Sequence, residues 1–280
     1  MNNRGSWILR APPPTVQEVT CVRYRVTNRT RQAAVVLLLN LCWVTYGTAT
    51  TVLVYVSWQE AVIAADSLSN RTEGGTRSVC KIVQVSDHML FVLAGAGLTQ
   101  DSHFNPYFNP YDVARVSVGS NRSPREAATK YANDAVAPLQ EIWRANRTRW
   151  SDIMGANRPK PTRPQDFMFV GLNQAGAISA SGTDFIEDGS TPPNVRVNDF
   201  HELVGKQPGD FSLYETGIYD AFPSDDQIIK WINSHGAPAA FKRLIEMQIK
   251  ATPDLVGGEI SIVRLSRDGS IQWVNRGPCK

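Results

Sequence analysis

The chain has 280 residues, 42% of them hydrophobic and 20% charged, which is enough apolar material to bury a sizeable core. Its formal charge of +3 is unevenly spread: six arginines against Glu18 give residues 1–32 a net +5, residues 33–49 carry none, and the remainder is therefore −2. The part that folds thus offers no global ground for binding nucleic acid or an acidic membrane.

The first 49 residues read as a leader. Arginines precede the apolar stretch 33–49, which ends in Gly47, Thr48 and Ala49, and a basic region, an apolar region and small residues at the exit are the parts of a secretory signal. The stretch is short for a membrane span, which needs roughly 20 apolar residues. Export to the periplasm or the cell exterior is therefore expected, with anchoring by residues 33–49 as the alternative and the membrane met only through an uncleaved leader. No long linker divides the middle, so residues 50–280 read as one domain.

From Thr50 onward, runs at 51–58 and 61–68 are β-branched and apolar, with Gln59-Glu60 between them as a hairpin turn. Runs at 79–85 and 89–94 form a second hairpin about Ser86, Asp87 and His88. They are continuously apolar rather than alternating, which predicts strands covered on both faces. Residues 69–78, with Gly74 and Gly75, read as a loop. So does 97–122, whose duplicated Phe-Asn-Pro-Tyr argues against regular structure.

Ser123-Pro124-Arg125-Glu126 is a capping box with proline at the first helical position. The helix after it presents Ala128, Tyr131, Ala132, Ala135, Leu139 and Ile142 on one face, and Pro138 is expected to kink or interrupt it. Basic residues and prolines make 144–164 a solvated loop. Residues 167–172 and 177–181 form a third hairpin, and 183–222 is loop-like apart from a short strand at 195–197. A second capping box at Ser224 opens a helix that Gly236 ends, another helix begins near Pro238, and a last hairpin turns through Arg267, Asp268 and Gly269. The order predicts an α+β fold, a four-layer αββα sandwich of two mainly antiparallel sheets.

Four cysteines and four histidines are scattered without metal-ligand spacing, so no metal and no cofactor is expected. Cys21 and Cys42 lie in the leader. Cys80 and Cys279 remain and could pair in an oxidising compartment. Asn28, Asn70 and Asn146 each open an Asn-Arg-Thr triplet, the glycosylation pattern.

Within residues 50–97, Ala64-Ala65-Asp66-Ser67 places an aspartate sixteen residues after Thr50, Lys81 stands thirty-one after it, and Ala94-Gly95 closes the fourth strand. This stretch resembles the proteasome β-subunit branch of the N-terminal nucleophile (Ntn) hydrolases. The resemblance implies an N-terminal threonine amidohydrolase, a peptidase, in which removal of residues 1–49 frees the amine of Thr50. That amine, with a pKa near roughly 7.7–8.0, would serve as base for its own hydroxyl. Lys81 would lower the pKa values around the nucleophile, Asp66 would hold the lysine, and the Gly95 N–H would face the oxyanion. A peptide or amide is the implied substrate, and a homo-oligomer is compatible with the resemblance. The late supporting cluster falls at residues 253–258, with Asp254 as the supporting carboxylate and Val256 where serine is expected. Ala49 replaces the glycine typical of self-processing and suits a signal peptidase. The alternative implied by the same resemblance is a catalytically inactive homologue that binds or assembles.

Overall fold

Apolar runs become strands here because neighbours cover both of their faces. The computed structural model describes residues 7–10, 50–70, 76–95, 99–100, 106–119, 123–145, 164–188, 190, 194–217, 219–253 and 256–279. The apolar segment 33–49, the triplets at Asn28 and Asn146, and Asp254 lie outside the described residues.

Strands β1 (Trp7–Arg10), β2 (Thr51–Ser57), β3 (Glu60–Asp66), β4 (Leu68–Asn70), β5 (Thr76–Ser78), β6 (Ile82–Ser86), β7 (Met89–Gly95), β8 (Thr99–Gln100) and β9 (Pro106–Phe108) lead to helices α1 (Pro110–Val118) and α2 (Pro124–Ala145). Next come β10 (Gln165–Leu172), β11 (Ile178–Glu187), β12 (Val195–Val197), β13 (His201–Val204) and β14 (Phe211–Gly217). Helices α3 (Asp225–His235) and α4 (Ala237–Ala251) and the hairpin β15 (Ile260–Ser266) with β16 (Ile271–Asn275) complete the order.

Two sheets result. One runs β1-β14-β2-β3-β15-β16, and the other runs β12-β11-β10-β7-β6 with β13 also on β11. Pairing is antiparallel throughout both, except that β1 lies parallel to β14. The fold is therefore α+β.

Alternation along each strand divides the apolar residues between two faces. Val52, Val54, Ala61, Ile63 and Ala65 from the first sheet meet Leu90, Val92, Ala94, Met168 and Val170 from the second in one shared core. On its other face the first sheet, through Leu53, Val62 and Ala64, packs on Ile228, Phe241 and Leu244 of α3 and α4. The second sheet, through Phe91, Phe167 and Phe169, packs on Tyr131, Ala135 and Leu139 of α2 and Ala114 of α1. The central strands β3, β7 and β10 are buried along nearly their whole length, as continuous apolar runs predict.

Several local expectations meet their physical reasons here. The first hairpin turns without Gly or Asn because the Ser57 hydroxyl accepts the N–H groups of Gln59 and Glu60 and donates to the Glu60 carbonyl. The Ser123 box forms: Glu126 Oε2 accepts the Ser123 N–H at 2.9 Å, and Ser123 Oγ accepts the Glu126 N–H. At Ser224 no side-chain cap bond forms, and the turn is closed by its carbonyl instead.

Other expectations are corrected. Residues 110–118 are helical rather than loop, because Asn109 accepts the Tyr111 N–H and Pro110 supplies a preset first-turn φ. Pro138 lies inside α2 without ending it, since the buried face on either side holds the helix together. Residues 69–78 include the small β4–β5 ribbon. The stretch 183–222 holds the end of β11 and all of β13 and β14, besides the expected β12. β14 pairs with β2 along seven residues.

Candidate active site

The sixteen-residue spacing between Thr50 and Asp66 has a direct structural cause. β2 and β3 pair antiparallel with Val52 opposite Ala65, so the hairpin returns Asp66 to the start of β2. There the Asp66 carboxylate Oδ1 accepts the Thr51 N–H at 2.8 Å. Thr50, one residue earlier, is only 4% exposed.

Lys81 comes from the other sheet. It sits just ahead of β6, where its carbonyl accepts the Leu93 N–H of β7 at 3.1 Å. Its Nζ reaches across to Asp66 Oδ1 at 2.9 Å, and both side chains are almost fully buried. Burial pushes the Lys81 ammonium below its usual pKa, while the charge and hydrogen bond of Asp66 pull it back up. The second carboxylate oxygen of Asp66 accepts N–H groups from Leu68 and Gly257, each at 3.2 Å. The Asp66 carboxylate thus takes four donors at the junction of the two sheets.

Gly95 ends β7 two residues past Leu93. It has φ +102°, and a Cβ there would stand 2.7 Å from the Pro164 carbonyl oxygen, so the position admits only glycine. In the β7–β10 register Gly95 lies opposite Gln165. Of the residues named from sequence, the structure brings Asp66 and Lys81 into direct contact and places Thr50 one residue from that contact. Gly95 lies on the strand that the Lys81 backbone joins.

Asp254 lies outside the described residues, but its neighbours enter the site through their backbone. The Gly257 carbonyl accepts the N–H groups of Ser67 and Leu68, and Ser67 Oγ accepts the Glu259 N–H at 2.8 Å. Val256, at the position where serine was expected, is fully buried. The Ser78 hydroxyl donates to Ser67 Oγ at 2.9 Å.

Two features were not found from sequence. One is the role of Asp166 on β10, in the Pro164-Gln165-Asp166 stretch where the resemblance calls for a second supporting serine: the residue is 5% exposed and accepts hydrogen bonds from Tyr214 and Thr216 of β14. An aspartate at the head of an apolar strand was the available signal. The other is the pairing left open above: Cys80 and Cys279 form a disulfide, which anchors the residue directly before Lys81.

Comparison with known protein families gives no match, and comparison with curated proteins gives none. Among the described residues, no group of three or more His, Cys, Asp or Glu side chains is placed to hold a metal ion, and no helix is long and apolar enough to cross a membrane.

Proposed function

We propose that this chain is an N-terminal threonine amidohydrolase, a peptidase resembling the proteasome β-subunit branch of the Ntn hydrolases, with its two sheets and two helix pairs arranged as that αββα sandwich. The observation that carries the reading is the Asp66 carboxylate, which bonds both the N–H of Thr51 and the buried ammonium of Lys81. A carboxylate–lysine pair sealed between two sheets is expensive to desolvate. Its location beside Thr50 gives that expense a chemical use.

Removal of residues 1–49 by a signal peptidase would leave Thr50 with a free amine. The amine takes the hydroxyl proton as Oγ attacks the carbonyl carbon of a peptide or small amide. Lys81, held by Asp66, favours the deprotonated forms of hydroxyl and amine through its positive charge. The Gly95 N–H supports the negative oxygen, an interaction worth about 3 kcal/mol in comparable sites. Collapse of the tetrahedral adduct breaks the C–N bond, and the leaving amine takes the proton from the Thr50 ammonium. Water then cleaves the ester, restoring the hydroxyl. The disulfide supports the exported location, since such bonds persist in oxidising compartments.

A second reading, an inactive homologue that binds or assembles, draws on Val256, whose apolar side chain stands where the resemblance calls for a hydroxyl beside the amine. The two readings separate experimentally. Expressed from Met1 in an exporting host, the recovered protein is expected to begin at Thr50 by N-terminal sequencing. It is expected to be acylated at Thr50 by a β-lactone, and Thr50→Ala should abolish the adduct. A mature protein that begins elsewhere sinks the threonine mechanism, and one that begins at Thr50 yet resists acylation favours the inactive homologue.

A further inference from the structure

The core between the two sheets is mainly aliphatic, and the carboxylates buried in it stand out: Asp66 with Lys81, and Asp166 with Asp184 opposite it on β11. Asp166, on β10, lies in it beside Val52, Val54, Val92, Ala94 and Met168, and its carboxylate accepts the Tyr214 hydroxyl on both oxygens at 2.9 and 3.0 Å and the Thr216 hydroxyl on Oδ2. A carboxylate in such surroundings costs several kcal/mol unless well bonded. The packing alone gives no cause for it, because an apolar residue would fill the same space.

Register supplies a cause. Across β10 and β7, Asp166 stands opposite Ala94 and Gln165 opposite Gly95. Across β14 and β2, Thr216 stands opposite Val52 and Gly217 opposite Thr51. The Asp166–Thr216 bond therefore joins the two sheets one residue from Gly95 on one side and two residues from Thr50 on the other. Beyond Thr216 the contact with Thr50 is tight: Gly217 has φ +88°, and a Cβ on it would lie 1.8 Å from the Thr50 carbonyl oxygen. The end of β14 is thus a wall against which Thr50 rests, and Asp166 fixes that wall.

We infer that Asp166 is a positioning residue for the nucleophile, acting through Thr216 to set Thr50 against the oxyanion site at Gly95. The inference rests on the threonine-hydrolase reading above. It brings β10 and β14 into the support of Thr50. No bond is made from Asp166 to substrate: it acts on where Thr50 sits.

The test uses the full chain, exported and processed, and a β-lactone whose carbonyl is attacked by Thr50 Oγ. The ring C–O bond opens, the ring oxygen takes the proton, and the whole reagent remains as an ester. Saturation kinetics separate the binding constant KI from the acylation rate constant kinact. Thr216→Val is expected to lower kinact at least about tenfold, the scale of loss when a reacting group is misplaced by a fraction of an ångström, with KI unchanged. Thr216→Ser should restore it. Asp166→Asn should behave as Thr216→Val, and if that variant fails to fold, the Thr216 pair still decides. Acylation of folded Thr216→Val at the wild-type kinact, or a change confined to KI, overturns the inference. Absence of labelling at Thr50 in the unaltered protein instead overturns the threonine reading itself.

Discussion

Asp66 holds four donors on one carboxylate, and two of them, Lys81 Nζ and the Thr51 N–H, share Oδ1. Asp66→Asn keeps the shape but turns an N–H₂ toward one set of donors and leaves the Lys81 charge buried without its partner. Breaking a buried pair on one side costs about 3–5 kcal/mol, so urea unfolding of Asp66→Asn is expected to show a loss of that order. Lys81 itself gives a pH signature. Its pKa is lowered in the folded chain, chiefly by burial, so between that value and the unfolded value near roughly 10.4 the unfolded chain binds more protons. Stability contributed by this group therefore rises with pH across that window and is a constant cost below it. Measured against Lys81→Met from pH 8 to 10.5, the wild type should gain relative stability as pH rises, and a falling difference would contradict the assignment. The Asp66–Lys81 contact was legible only through the resemblance, which implies that the aspartate holds the lysine; the apolar runs by themselves marked Asp66 as buried without naming its partner. The hydrogen bonds from Gly257 were not, because backbone groups of any sequence can donate them.

At the scale of elements, strands covered on both faces could be read from runs such as residues 61–66 and 89–94, since nothing but burial favours so many apolar residues in succession. β14 could not. Its sequence, Phe-Ser-Leu-Tyr-Glu-Thr-Gly, carries Glu215 and Thr216 at buried positions, and polar residues in a core strand look like a loop until the partner strand supplies their surroundings. Helix α1 was hidden by its prolines, although Asn109-Pro110 is a cap followed by a preset first turn. Pro138 is the opposite case, a residue expected to kink or interrupt the helix, which runs on past it because tertiary packing holds both sides. Its ring removes the N–H that would bond the Asp134 carbonyl, yet Ala135 and Leu139 beside it are buried against the second sheet. A proline in a helix interior costs about 3 kcal/mol relative to alanine. Pro138→Ala should therefore stabilise the fold, by roughly 1–3 kcal/mol once the stiffer unfolded chain is discounted, read as a higher urea midpoint with unchanged slope. A lower midpoint would mean that the ring itself packs usefully.

For the whole molecule, the sheets are held together by their shared apolar core and by polar links at the ends. Asp66–Lys81 and Asp166–Thr216 lie near Thr50, and the Cys80–Cys279 disulfide lies at the sheet edges. β6 is the edge strand of one sheet and β16 the edge strand of the other. Cys80 precedes the first and Cys279 follows the second, so the bond pins the two edges where side-chain packing is thinnest. The cysteines are separated by 199 residues, and closing a loop of that size in the unfolded chain is worth about 5 kcal/mol in the chain-entropy account. Their pairing was open in the sequence because two cysteines so far apart meet only once both edge strands are placed. Reduction by a dithiol, or Cys80→Ser with Cys279→Ser, is expected to lower stability by about 2–5 kcal/mol. Because Cys80 adjoins Lys81, the loss should not be uniform. Amide exchange should quicken first at Lys81 and Ile82 and along β16, while β3 and β10, buried on both faces, keep their protection. Equal loss of protection across both sheets would show instead that the bond acts only on the unfolded chain.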